Sequence, residues 1–187
     1  MRAYIVRHGQ TLFNVKKIIQ GWCDSPLTKT GIQQAIEAGK KLENVDFEWA
    51  YSSTSERAVD TMNLILKNRN VNTSHRKGLK EINFGMIDGE SERVIFQTLK
   101  IDRNNVPDYG GESPAMALAR FQKELLKISE KHSGNVLIVC HGGIIRALCG
   151  YLEDKENGIK WRPKPHNCEI RVYESINGKH KTIKYIK

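Results

Sequence analysis

Short apolar runs alternate along this chain with longer stretches in which apolar residues recur every three or four positions, a pattern that predicts strands interleaved with helices. Ala3-Tyr4-Ile5-Val6 reads as a buried strand that leaves a sheet through a tight turn at Arg7-His8-Gly9. Val136 to Cys140 is the most apolar run, and it ends at His141-Gly142-Gly143 before the apolar stretch Ile144 to Leu152: strand, glycine turn, helix. Phe47 to Tyr51, Cys168 to Tyr173 and Thr182 to Ile186 are further strands, with Asn177-Gly178 as a hairpin signal between the last two.

The helices announce themselves by their caps. Thr28 precedes a face made of Ile32, Ala35, Ile36, Gly39 and Leu42. Ser52, Ser53 and Ser55 are cap candidates for a helix with Arg57 in its first turn and Ala58, Met62 and Ile65 on its apolar face. Ser113-Pro114 opens a third, with Leu118, Phe121, Leu125 and Ile128 inward. Residues 68–72 and 100–108 read as exposed loops. The sum is an α/β fold, a three-layer α/β/α sandwich whose central sheet is mostly parallel with an antiparallel edge, and ligands are expected at the strands' carboxyl ends.

Composition narrows this picture without redirecting it. Residues 1–187 suit a single domain, with 39% hydrophobic residues to build a core. The four cysteines are scattered and form no CxxC pair, so reduced thiols and a cytoplasmic location are expected. Arg7 and His8 interrupt the first apolar run and no apolar run is long enough to span a membrane, so neither export by a leader nor membrane insertion is expected. The formal charge of +9 comes from dispersed lysines and arginines, which favours a solvated surface that attracts anions over a nucleic-acid or membrane site. No residue pattern specifies an oligomer, although a homodimer is compatible with the chain.

Two strand-to-turn junctions place His8 and His141 at the same end of one sheet, each followed by glycine that lets backbone amides approach a ligand. Either histidine alone would ordinarily be a hydrogen-bonded structural residue. Together with Arg7 and Arg57 they can converge on one anion, because the planar guanidinium fork suits phosphate oxygens. His166 and Cys168 lie close in sequence, but with no HExxH or carboxylate cluster a structural role is the better reading, and no metal or cofactor is expected.

The segment Tyr4-Ile5-Val6-Arg7-His8-Gly9-Gln10-Thr11, with Asn14 after it, resembles the signature of the phosphoglycerate mutase-like histidine phosphatases. Five more segments match in that family's order: Gln20 to Thr28, Tyr51-Ser52-Ser53 with Arg57-Ala58, Leu79 to Gly85, Gly111-Glu112-Ser113, and Cys140 to Gly143. The resemblance implies that His8 is a nucleophile, that Arg7, Asn14, Arg57 and His141 bind the transferred phosphoryl group, that Gly142 is a substrate-binding residue, and that Glu81 is the general acid and base. Gln20 and Gly21 would touch the rest of the substrate. The pattern departs after Phe84-Gly85, where Met86 to Glu90 replaces an aromatic before Glu-Gly and makes Asp88 and Glu90 rivals to Glu81.

The function so implied is a phosphomonoesterase acting on small phosphorylated metabolites through a phosphohistidine. A cofactor-dependent phosphoglycerate mutase is the enzymatic rival, disfavoured because only Ile82 to Gly111 separates Glu81 from Glu112. A binding module that holds phosphorylated ligands without turnover is the remaining reading.

Overall fold

The computed structural model describes residues 1–153, 163–176 and 179–186. Six strands form one sheet: β1 (Arg2–Arg7), β2 (Phe47–Ser53), β3 (Thr73–Arg76), β4 (Asn135–Cys140), β5 (Ile170–Ile176) and β6 (Lys179–Ile186), in the order β3-β2-β4-β1-β5-β6. β1, β2, β3 and β4 run parallel, and β5 and β6 complete an antiparallel edge. Asn177-Gly178 lies outside the described residues.

Alternation along the central strands divides the core in two. Val136, Ile138 and Cys140 of β4 join Ala3 and Ile5 on one face, against α4 (Pro114–Ser129) and α5 (Gly142–Glu153). Leu137 and Val139 join Val6 on the other, against α2 (Lys29–Lys41) and α3 (Glu56–Ile65). This is the three-layer α/β arrangement, and β1 and β4 read as continuous apolar runs because both their faces are covered.

The caps act as expected at two helices. Thr28 Oγ1 accepts from the Gly31 amide at 3.0 Å, and Ser113 Oγ from the Met116 amide at 3.2 Å, with Pro114 beginning α4. Ser55 begins α3 but makes no side-chain capping bond.

Several local expectations need correction. The buried seam of α2 is Gly31, Ala35, Ala38 and Leu42, while Ile32 is 41% exposed. The helix is rotated because Gly31 sits against the loop after His8, where only a residue without a side chain fits. The polar loop after Gly9 contains a short helix, α1 (Leu12–Lys16), closed by a capping box between Thr11 and Asn14. Residues 100–108, read as an exposed loop, contain a 3-10 turn that buries Val106 against Ile19, Ile87 and Ile95. β3 carries the polar sequence Thr-Ser-His-Arg and has no apolar alternation, as befits an edge strand.

An alanine in place of a helical glycine ordinarily stabilises by roughly 1 kcal/mol. At Gly31 a Cβ would stand 2.0 Å from the Gln10 carbonyl oxygen and 2.8 Å from its amide nitrogen. Gly31→Ala is therefore expected to destabilise the protein by about 1–3 kcal/mol, the usual cost of overpacking. Urea unfolding checks the sign, and a stabilised variant would refute the contact.

Candidate active site

Both histidines follow directly from adjacent parallel strands. β1 pairs with β4 so that Arg7 stands opposite Cys140, and the His8 amide donates to the Cys140 carbonyl at 2.9 Å. The imidazole centroids of His8 and His141 are 5.3 Å apart with their planes inclined at 58°. Each is almost wholly buried, at 3% and 0% exposure.

His8 Nδ1 lies 2.8 Å from the Gly9 carbonyl oxygen. A carbonyl can only accept, so Nδ1 carries the proton and Nε2 keeps its lone pair. Burial, then the charges of Arg57 and Arg7, hold the His8 pKa well below its ordinary value of 6.5, against the opposing Gly9 bond. Burial and Arg57 do the same to His141. Two neutral imidazoles thus face each other in a field of cations.

Arg57 is fully buried, and its terminal nitrogens donate to the Cys23 and Gly21 carbonyls, both at 2.9 Å, and to Asp24 at 2.8 Å. Arg7 donates through Nη1 to the Pro165 carbonyl at 2.7 Å. Arg7 Nε, Arg57 Nε and both ring nitrogens of His141 are buried and have no hydrogen-bond partner among the described residues. Buried polar atoms of this kind are costly unless a ligand completes them.

Glu81 is held on the opposite side by backbone. Its carboxylate accepts from the amides of Gly143 at 2.8 Å, Ile144 at 2.9 Å and Ile82 at 3.0 Å. Two amides in the first turn of α5, those of Gly143 and Ile144, are thus committed to Glu81, and the Gly9 amide is committed to Thr61 Oγ1 at 3.0 Å. The main chain at Glu81 is clamped as well: its carbonyl accepts from Arg120 Nη2 and Trp22 Nε1, each at 3.0 Å. Arg120 also forks onto Glu112 at 2.8 and 2.7 Å.

A cavity of about 170 Å³ opens beside these groups. Arg7, His8, Asn14, Gln20, Glu81 and Gly142 line it, whereas Arg57, His141 and Gly21 do not. Asn14 Oδ1 receives the Thr11 amide at 3.2 Å and Asn167 Nδ2 at 3.1 Å, and Gln20 receives the Thr11 hydroxyl at 2.7 Å. Gly21, given a substrate contact by the resemblance, instead braces its loop: its amide goes to Asp88 and its carbonyl takes Arg57. Asp88 is likewise occupied by the Gly21 and Trp22 amides, both at 2.9 Å, and Glu90 is exposed, so neither rival to Glu81 lines the cavity.

Several wall residues escape the sequence analysis. Lys164 approaches from beyond α5: a Cβ on Gly142 would meet Lys164 Cε at 2.8 Å and Arg7 Nε at 3.0 Å, so the bare backbone at residue 142 lets two cations converge. Arg146, Glu92, Phe84 and Phe96 add to the wall, while Met86 is 84% exposed. Phe84 and Arg146 fall within the resemblance, but nothing in the local sequence marks Lys164, Glu92 or Phe96, because they meet the site only through folding. All four cysteines are free; burial pushes the Cys168 thiol up to about 12, and its backbone amide bonds the Arg7 carbonyl at 3.0 Å. No cluster of three or more potential metal ligands occurs among the described residues.

The family model described as "Histidine phosphatase superfamily (branch 1)" matches residues 3–186. The chain belongs to that superfamily. It is 33% identical over 162 residues to a broad-specificity phosphatase of Saccharomyces cerevisiae, covering 82% of this chain and 70% of that protein. It is 34% identical over 161 residues to a 2,3-bisphosphoglycerate-dependent phosphoglycerate mutase of Cytophaga hutchinsonii, covering 80% and 76%. Among solved structures, Bacillus stearothermophilus YhfR superposes with a TM-score of 0.88 at 29% identity, covering 97% of this chain and 94% of that one. In this superfamily member the paired histidines stand at the carboxyl ends of neighbouring parallel strands.

The buried neutral histidines carry a pH signature. Below 6.5 the unfolded chain protonates both imidazoles while the folded chain refuses the protons, so stability is unaffected above that value and falls beneath it. Each contributes a slope of up to about 1.4 kcal/mol per pH unit. Urea unfolding from pH 7 to 5 should show a shallower decline in the His8→Gln/His141→Gln double variant than in the parent; parallel declines would refute the neutral pair.

Proposed function

We propose that this histidine phosphatase superfamily protein is a metal-independent phosphomonoesterase that hydrolyses small phosphorylated metabolites in the cytoplasm through a phosphohistidine on His8. The supporting observation is a lone pair on His8 Nε2, in a residue that lines the cavity with Arg7, feels the charges of Arg57 and Arg7 and stands 5.3 Å from the His141 ring, together with unpartnered nitrogens on Arg7, Arg57 and His141. A phosphoryl group in flight spreads negative charge over its equatorial oxygens, and these are the donors it needs.

In the first step Nε2 attacks phosphorus, the bond to the ester oxygen breaks, and Glu81 gives that oxygen its proton. Oε1 takes both the Ile82 and Ile144 amides, whereas Oε2 takes only the Gly143 amide and keeps a second lone-pair site, which leaves room for the proton. In the second step Glu81 takes a proton from water as the water attacks phosphorus, and the N–P bond breaks to release inorganic phosphate and restore His8. Arg7, Lys164 and the remaining Arg57 nitrogen supply the charge that a metal would otherwise provide, so activity is expected to survive excess EDTA.

The same chemistry with the phosphoryl group returned to a second hydroxyl would make a mutase, and a site that only binds would make neither product. Phosphate release from a panel of monoesters separates the three readings. His8→Ala should abolish turnover and the phosphorylated protein detected by mass spectrometry; near-parental turnover by the folded variant would overturn the assignment. Glu81→Gln should slow the burst on alkyl phosphates by about 10²- to 10⁴-fold, the usual worth of general acid help, and spare p-nitrophenyl phosphate, whose leaving group departs unprotonated. Equal losses on both would remove Glu81 from the acid role.

A further inference from the structure

Glu92 is a carboxylate in the wall of a cavity otherwise suited to an anion. Its side chain makes no hydrogen bond or ion pair among the described residues. A second carboxylate here repels a phosphate dianion, and among the described residues only the backbone ties this residue down. The Glu92 amide donates to the Lys17 carbonyl at 2.9 Å, and the neighbouring Ser91 bridges to Ile18.

The surroundings of Glu92 have a consistent chemistry. One helical turn on, Phe96 meets Phe84 edge to face, with centroids 6.5 Å apart at 65°, and both rings line the cavity. Ile18 and Ile19 line the same wall, which lowers the local polarity. Ile95 locks that turn into the buried cluster with Ile19, Ile87 and Val106, so the wall is fixed in place. A carboxylate beside aromatic rings and aliphatic groups is a recognition surface for an ammonium ion, through ion pairing and the negative faces of the rings.

Three cations also line the cavity. Arg7 and Lys164 converge over Gly142, and Arg146 stands one turn further along α5, on the same side of that helix. Positive charge in the wall therefore comes from β1, α5 and Lys164 around Gly142, and the segment beginning at Ser91 adds a carboxylate.

We propose that the preferred substrates are O-phosphorylated amino alcohols, whose protonated amine sits against Glu92 beside Phe84 and Phe96 while the phosphate sits at His8. This rests on the phosphomonoesterase reading and names its leaving group: water is consumed, the P–O ester bond breaks, and inorganic phosphate and the free amino alcohol leave. The cavity of about 170 Å³ suits a leaving group of a few heavy atoms.

The test compares O-phosphoethanolamine with 2-hydroxyethyl phosphate, a near-isostere that lacks the charge. The unmodified protein should favour the first in kcat/KM by about tenfold or more, and Glu92→Gln should remove most of that ratio. Equal kcat/KM values in the unmodified protein, or a ratio unchanged in the variant, would overturn the proposal. A second measurement needs no variant: ethanolamine should inhibit p-nitrophenyl phosphate hydrolysis at concentrations where ethylene glycol does not, and equal inhibition would count against the amine site. Normal p-nitrophenyl phosphate turnover with no amine preference defeats this inference alone, whereas a protein inert toward every ester and unphosphorylated at His8 defeats the underlying reading with it.

Discussion

The parallel pairing of β1 with β4 is the constraint on which the site depends. The register that sets Arg7 opposite Cys140 ends both strands together, so the residue after each, His8 and His141, emerges at the same level. Slipping one strand by a single residue would turn its side chains to the opposite face of the sheet and bury the nucleophile in a helix layer. The apolar burial of Val136, Ile138 and Cys140 on one side and Leu137 and Val139 on the other holds that register, so core packing is what positions the chemistry.

Around this pair, one charge arrangement serves two ends. Burial, joined by the Arg57 and Arg7 guanidinium groups, depresses the His8 pKa and keeps the imidazole unprotonated and hence nucleophilic, and the positive field of those groups attracts a dianion. Arg57 is fixed before any ligand arrives because chain carbonyls and Asp24 hold its terminal nitrogens, so no side-chain order has to be created on binding. Glu81 is fixed in the same way by three amides, with Arg120 and Trp22 gripping the main chain beneath it. An acid set among cations would otherwise swing onto the nearest guanidinium.

What the sequence reveals of this molecule follows from how local each cause is. β1, β4 and the helices with buried seams are legible because each buries a periodic set of its own residues. β3 is not, since Thr73 to Arg76 sit on an edge where no apolar pattern is required. Val106 hides in a polar stretch because a single side chain completes a small cluster, and one residue makes no period. The true seam of α2 is hidden because contact with Gln10, far off in sequence, sets the helix's rotation. The same distinction divides the site. His8, His141, Arg57 and Glu81 stand in motifs, whereas Glu92, Arg120 and Lys164 are ordinary charged residues until folding brings them to the cavity or to the backbone of Glu81.

The contact between Gly9 and Gly31 has a consequence for how such a protein can change. A Cβ on Gly9 would lie 2.5 Å from the Gly31 carbonyl oxygen, and one on Gly31 would lie 2.0 Å from that of Gln10, so backbone meets backbone immediately after the nucleophile. The half of the pocket that handles phosphorus is thereby welded to the scaffold and has almost no room to drift. The wall carrying Glu92 and Phe96 stands on a separate helical segment, held by buried Ile95 and by main-chain bonds indifferent to the side chains at 92 and 96. A lineage could therefore exchange one alcohol for another at those two positions without disturbing the reaction, and a laboratory library aimed at new esters has its natural targets there.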